Sequence, residues 1–452
     1  MVNSESYPVE KLTLNARRRS IGLTYFNGGL WGIGNGLAGT TLLFYLAASY
    51  GVRGLTLSWL LAAPSLVGVL RLFTPLWLDR VGNRRRFCTR MFFISALVLL
   101  GLPLMSAPGV LPQATQSIVA LTTCWAGYHL FEHFAVVALW SWFADLVPQP
   151  IRGRFVGRRQ GWMNGGKVLG IVISAVATVS WQTRCEVTGH LERLWIGFAA
   201  LTCVGAIVML FAIWPLHAMT DPASPSRIGA GSPRQRLGEL LTPFSDGDFR
   251  RLLYYGLWFS FANGIADTAV RVYQISILQL TYAEKRILDA TSRGIQSLVM
   301  PWAGAQADRH GNVPVLVVSQ GLVAAALLFF LIAAPDAKWW VVGAYVCWIA
   351  YAGTNVAMPN LMLRLSAPEC SAAYSAAWFA STQLAYALSA LAGGLLFDIL
   401  SDCWQPTMLG NWEIDHFALL LIGGCVLRML GILWARRIPE PSSTSRSLAS
   451  EP

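Results

Sequence analysis

The chain has 452 residues, of which 55% are hydrophobic and only 13% carry charge. A soluble globular protein is charged at about 25% of its positions, and the shortfall is what lipid-facing helices require, because the bilayer core cannot solvate ions. A net charge of +11 would otherwise raise nucleic-acid binding, but the charges are sorted by loop, and that sorting excludes it.

A membrane-spanning helix needs about 20 mostly apolar residues, and twelve such runs use most of the chain. Residues 1–20 are polar, and the run behind them is too long for a secretory signal and lacks a small-residue cleavage site. Helix 1 is expected at about 21–48 and contains Gly34-Asn35-Gly36-Leu37-Ala38-Gly39. That stretch fits GxGxxG, a dinucleotide motif only where it follows a strand and opens a helix. Inside one apolar run it predicts close helix packing through small residues. Helices 2 and 3 are expected at 57–78 and 87–105, on either side of the polar turn Trp77-Leu78-Asp79-Arg80-Val81-Gly82-Asn83-Arg84-Arg85-Arg86. Helices 4, 5 and 6 follow at about 118–143, 161–181 and 194–219. A basic segment rich in Pro, Ser and Gly, residues 220–249, reads as a flexible linker. Helices 7 to 12 are expected near 252–280, 286–303, 313–334, 339–363, 373–400 and 417–434. Residues 438–452 are polar and expected to be disordered. The domain plan is a six-helix bundle over 1–219, the linker, and a second six-helix bundle over 250–437.

The two bundles repeat each other. Asp79-Arg80-Val81-Gly82-Asn83 has a second copy in Asp308-Arg309-His310-Gly311-Asn312, 229 positions later and again between two apolar runs. Asn35-Gly36-Leu37-Ala38-Gly39-Thr40 matches Asn263-Gly264-Ile265-Ala266-Asp267-Thr268 at an offset of 228, and Trp31 with Trp258 and Tyr45 with Tyr273 fall in nearly the same register. Internal repeats of this kind mark secondary transporters.

Alternate loops separate by charge. One set carries Arg17 to Arg19, Arg80 with Arg84 to Arg86, Arg152, Arg154, Arg158 and Arg159 in the first half. In the second half it carries Arg250, Arg251, Arg309, Arg364, Arg436 and Arg437. The opposite set holds few basic residues, and its last loop is acidic. The positive-inside rule then places both termini in the cytoplasm, in an integral, multi-pass protein of a bacterial inner membrane. The eight cysteines show no metal spacing. Cys185 and Cys403 share the outer side and are expected as free thiols.

The paired Asp-Arg-x-Gly turns between helices 2 and 3 and between helices 8 and 9 resemble the signature loop of the major facilitator superfamily. The loop Pro148…Arg152-Gly153-Arg154 between helices 4 and 5 is also similar to that family, and the twelve-helix plan extends the likeness over nearly the whole chain. The first copy has Pro75 where a glycine is usual. The second keeps Gly304 but has His310-Gly311-Asn312 in place of basic residues. The resemblance implies an all-α fold of two pseudo-symmetric six-helix bundles, a secondary transporter rather than an enzyme, and no cofactor or metal. It also implies a gating role for the loops: Asp79, Arg80, Gly82, Arg84 and Arg85 in the first, and Gly304, Asp308, Arg309 and Gly311 in the second. A carboxylate near the start of a neighbouring helix is attracted to its positive dipole end, so Asp79 or Asp308 is expected to pin one half against the other.

A charge at a helix centre costs about 2.5–3.5 kcal/mol on insertion scales, so polar residues inside the apolar runs mark the transport path. Helix 4 carries His129, Glu132 and His133 on one face, and helix 7 carries Asn263, Asp267, Arg271 and Gln274 as a stripe. Helix 1 adds Asn35, helix 5 adds Lys167, and helix 8 adds Asp289 and Arg293. The family resemblance implies that helices 1, 4, 7 and 10 line the central cavity. Glu132, beside two histidines, is the expected proton carrier, and Lys167 its counter-ion or an anchor for an anionic substrate. Arg71 and Arg428 read as structural. The tryptophans Trp31, Trp125, Trp258, Trp348 and Trp378 are candidates for the cavity wall. The expected partners are a small solute, protons as coupling ion in symport, and membrane lipids, with the protein acting as a monomer. The competing reading is a membrane sensor that keeps the fold without transporting.

Overall fold

The computed structural model describes residues 13–39, 41–50, 54–221, 233–280, 282–409 and 412–440. Among them the helices form twelve rods in two sets of six. Helix 1 is Leu14–Ala38 followed by Thr41–Ser49, and helix 2 is Gly54–Val67 and Thr74–Val81 joined by the 3₁₀ segment Gly68–Phe73. Helices 3, 4 and 5 are Arg84–Ser106, Ala114–Leu146 and Arg152–Thr188, and helix 6 is Leu194–Phe211 with a short continuation Trp214–Ala218. Helix 7 is Gly247–Val272, ending in the π turn Tyr273–Ile277. Helices 8 and 9 are Tyr282–His310 and Asn312–Ile332, helix 10 is Trp340–Trp348 with Tyr351–Leu365, and helices 11 and 12 are Ser371–Cys403 and His416–Ala435. Seven of the described helices are long and apolar enough to cross a membrane, judged by length and composition. Others are interrupted, as helices 1 and 2 are, or carry ionisable residues along their length, as helix 8 does.

The helices extend past the apolar runs because the polar turns stay helical until something stops them. Gly82 ends helix 2 at φ +64°, a left-handed conformation that costs a glycine little, and its N–H reaches Leu78 O and Asp79 O at 3.1 Å each. Asn83 then caps helix 3 by accepting from Arg86 N at 2.8 Å.

The repeat seen in the sequence is a repeat of packing. Helix 1 packs on helices 5 and 6, as helix 7 packs on 11 and 12, while helix 3 meets 4 and 6 as helix 9 meets 10 and 12. The halves meet through helices 5 and 8 and through helices 2 and 11, which are the same contact under the repeat. Matched residues make matched bonds. Asn35 Nδ2 donates to Tyr128 OH on helix 4 at 3.4 Å, and Tyr351 OH on helix 10 donates to Asn263 Oδ1 at 2.6 Å. Gly36 and Gly264, also paired by the repeat, sit at the crossings of helices 1 with 5 and 7 with 11, where a Cβ would come within 2.3 Å of Lys167 O and 2.0 Å of Ser389 Oγ. The GxGxxG stretch is therefore a packing surface, with Gly34 lying against Gly205 of helix 6.

Three expectations change. The linker contains a helix, Pro233–Ser245, between residues outside the described set and the Asp246 cap of helix 7. A two-stranded hairpin, β1 (Thr407–Leu409) and β2 (Trp412–Ile414), joins helices 11 and 12 in an otherwise helical fold. The tail expected to be disordered from 438 is anchored as far as Glu440: Ile438 is buried, and Glu440 accepts from Val313 N at 3.0 Å and Asn312 Nδ2 at 2.9 Å while pairing with Arg364 at 3.1 Å. A carboxylate there satisfies the free N–H groups that open helix 9. Residues 441–452 lie outside the described set. All eight cysteines are free, with Cys185 buried and Cys403 exposed.

Candidate transport site

Among the described residues, the contacts between the halves gather at the end that carries the arginine-rich loops. Helix 5 presents Gly153, Gly157 and Gly161 on one face, four residues apart. A Cβ there would stand 2.7 Å from Gly304 O, 2.4 Å from Met300 O and 2.7 Å from Ser297 O of helix 8 respectively. At Gly165, one turn further on, the nearest atom is Ser297 Oγ at 3.7 Å, and beyond it Gly170 faces helix 1. The two halves are thus in backbone contact at one end and diverge towards the other.

Asp308 locks that seam. Its carboxylate accepts from Gly153 N and Arg154 N at 2.8 Å each, the free N–H groups at the start of helix 5, and Arg154 Nε stands 3.8 Å away. Charge-assisted bonds of this kind contribute about 1.5–3 kcal/mol each, supplemented by the helix dipole. Arg152, buried, spans the same junction, donating to Leu363 O at 2.9 Å and Ala144 O at 3.0 Å. Asp79, the repeat partner of Asp308, comes within electrostatic reach of Cys370 at the start of helix 11.

The arginines of the first loop fasten elements within their own half. Arg84 pairs with Asp145 at the end of helix 4 at 2.5 Å and donates to Ser141 O at 3.0 Å. Arg85 donates through its guanidinium to His217 O and Met219 O, and its backbone N–H donates to Asp221 at 3.4 Å. Burial raises the pKa of that Asp221 carboxyl, opposed by the Arg85 N–H and by the two arginines. Arg80 and Arg309 are exposed. Gly311 adopts φ +93° and lies against Glu440.

A cavity of about 560 Å³ opens beside this seam. It is lined by Asn263 and Asp267 of helix 7, Asp289 and Arg293 of helix 8, Tyr345, Trp348 and Tyr351 of helix 10, and Phe379, Gln383 and Tyr386 of helix 11. Arg71 of helix 2 and Arg428 of helix 12 complete the wall. Among the described residues, helices 1 and 4 add nothing to this lining, where the resemblance implied that 1, 4, 7 and 10 would share it. Helix 2 stands in their place: Arg71 Nε donates to Gly68 O at 2.8 Å, its Nη2 donates to Gln383 Oε1 across the halves, and its guanidinium lies 5.8 Å from the Phe379 ring centre.

The helix 7 stripe divides. Asp267 pairs with Arg271 at 2.7 Å, but the arginine side chain is 62% exposed and outside the cavity lining. Gln274 falls in the π turn, where it is buried and donates to Tyr345 OH at 3.4 Å. The extra residue of a π turn shifts the register of everything after it. Tyr345 OH in turn donates to Asp289 at 3.2 Å.

The helix 4 residues form a second cluster behind Arg71. Glu132 accepts from Trp31 Nε1 at 3.1 Å and meets His129 Nδ1 at 3.1 Å, and its side chain is 15% exposed. His133 Nε2 lies 3.1 Å from Pro64 O of helix 2, and Trp125 stacks edge-on to His129 at 4.4 Å. The two clusters are electrostatically joined: Arg71 feels Glu132, and Lys167 feels both Glu132 and Arg293. Lys167 itself is outside the cavity lining. Of the five tryptophans proposed for the wall, only Trp348 lines it. Trp258 donates to Leu427 O at 2.8 Å and Trp378 packs over Gly256. Arg71 and Arg428, read from sequence as structural, are lining residues; their signal was a charge inside an apolar run with no partner one turn away.

The arrangement matches known architecture. Residues 278–452 match the family model described as Major Facilitator Superfamily. Over the whole length the chain is similar to FucP, a major facilitator superfamily transporter solved in the outward conformation, at 11% identity and TM-score 0.72, covering 94% of this chain and 100% of that one. The proton:xylose symporter XylE bound to 6-bromo-6-deoxy-D-glucose aligns at 14% identity and TM-score 0.67, covering 94% and 96%. The human organic anion transporter MFSD10 (TETRAN) aligns at 13% and 0.62, covering 93% and 99%. A search of curated protein sequences found no match. The chain has the major facilitator superfamily fold, as the paired polar turns implied.

Proposed function

With that fold as premise, we propose that this protein is a secondary transporter, not an enzyme, that moves a small solute by rocking its two halves about the central cavity. The observation that carries this is the asymmetry of the interface: a glycine seam locked by Asp308 at one end, and a polar cavity beyond the point where the halves part. Positive-inside sorting makes the locked end cytoplasmic, so this state faces outward, as the solved FucP does. Breaking the Asp308 clamp and forming contacts at the other end would expose the cavity to the cytoplasm.

Proton coupling, with symport as the mode, rests on Glu132. It is a carboxyl held by His129 and Trp31 and within electrostatic reach of Arg71, which touches both the cavity and the other half. Protonating Glu132 releases the attraction on Arg71 and so links proton occupancy to the contact between the halves. The XylE and FucP structures are of proton symporters, which supports the same reading. In proteoliposomes, solute accumulation is expected to collapse with an uncoupler. Glu132→Gln should abolish gradient-driven accumulation while leaving solute exchange intact. Undiminished accumulation in that variant removes Glu132 from the proton path. Ligand binding with no flux under any gradient favours a sensor that keeps the fold.

A further inference from the structure

From the charges around the cavity we infer that its ligand is a small organic carboxylate, an inference that rests on the proposed transport site and names its substrate class. Arg71, Arg293 and Arg428 all line the cavity, and Arg71 and Arg428 are 3% and 4% exposed. No ion pair joins any of these arginines to a carboxylate among the described residues. Of the two lining carboxylates, Asp267 is paired with Arg271 at 2.7 Å, while Asp289 accepts only from the neutral Tyr345 hydroxyl at 3.2 Å, leaving one negative group against the three arginines. The nearest further acid, Glu132, lies in the cluster behind Arg71 and within electrostatic reach of it, but that cluster brings Lys167 with it as a further cation. Positive charge is therefore in excess where the solute sits.

Hydrogen-bonding capacity has the same sign. Among the described residues of the lining, the buried side-chain atoms without a partner are Arg428 Nε and Trp348 Nε1, both donors. A buried donor left unmade is costly, and acceptors rather than donors are what a ligand has to offer both. A guanidinium presents parallel N–H groups that match the two oxygens of a carboxylate. The body of the ligand meets aromatic faces, those of Phe259, Phe379 and Tyr351, and the volume of about 560 Å³ falls in the range of small-molecule sites. A bare inorganic anion would satisfy the arginines and leave those faces uncovered.

The test uses purified full-length protein in detergent, with intrinsic tryptophan fluorescence and thermal shift as readouts. Benzoate, phenylacetate and indole-3-acetate are the probes, benzamide and phenylacetamide the neutral partners of the first two, and inorganic phosphate the bare anion. At least one carboxylate is expected to bind ten-fold or more tighter than its amide and than phosphate. Arg428→Gln and Arg293→Gln should each weaken that binding at least ten-fold, and Arg428→Lys should recover part of it. Arg293, being exposed, serves as the variant whose fold is not at issue. Amide binding equal to carboxylate, phosphate preferred, unchanged affinity in both glutamine variants, or no carboxylate bound at all each overturns the inference. Flux is measured separately in proteoliposomes with the same radiolabelled probes and with D-glucose. Carboxylate binding without flux defeats the transport reading alone, and glucose flux without carboxylate binding defeats the anion inference alone.

Discussion

Asp308 is the residue we propose as the clamp of the closed end, because its two acceptor oxygens meet two N–H groups that helix 5 cannot satisfy internally. Asp308→Ala removes both bonds and is expected to destabilise the closed seam by about 2 kcal/mol, roughly a thirty-fold shift in the balance between open and closed states. Ser297→Cys, placed behind the seam against Gly161, reports the shift. Its alkylation by an impermeant maleimide from the arginine-rich side should quicken at least ten-fold in the Asp308→Ala background. An unchanged rate would leave Asp308 as a capping residue with no part in gating. The sequence held this residue in plain view, as half of a repeated turn whose other half is Asp79. The partner of Asp308 is the start of helix 5 in the opposite half, and partners across a bundle have no local signature.

At the scale of single helices, the seam between helices 5 and 8 makes a graded prediction. A side chain at Gly157 would have its Cβ 2.4 Å from Met300 O and at Gly161 2.7 Å from Ser297 O, both backbone atoms that a helix cannot move aside alone. Gly157→Leu and Gly161→Leu should therefore hold the halves apart at this end and lower transport more than ten-fold. Gly165→Ala, with 3.7 Å to spare, should be tolerated within two-fold. Equal sensitivity at all three positions would contradict a seam that parts near Gly165. The helices themselves were readable because apolar runs of bilayer length leave little choice of structure. Their rotation was not. The 3₁₀ segment Gly68–Phe73 changes the angular step from one residue to the next and turns Arg71 into the cavity, while the π turn takes Gln274 out of the helix 7 stripe. Periodicity counts residues at a fixed angle, so a helix that changes its own geometry defeats it at the positions that carry chemistry.

For the molecule as a whole, duplication explains both what repeats and what differs. The two halves share their helix contacts and even a part-buried Asn–Tyr bond, yet the acid–histidine cluster lies in the first half, while the open cavity is lined by the second and by Arg71. A pair of identical bundles would hold two equal sites. In the proposed transport cycle the first half carries the proton and the second the solute, with Arg71 and Lys167 linking the two clusters electrostatically. Which compartment the cavity opens to in this state depends on the side the locked end faces, and labelling decides that. Cys403, exposed at the last position of helix 11, away from the arginine-rich loops, should react with an impermeant maleimide in intact cells. A cysteine introduced as Arg309→Cys, at an exposed position of the second polar turn, should react only after permeabilisation. The reverse pattern would invert the protein in its membrane, and the state with the Asp308 clamp closed would then open inward.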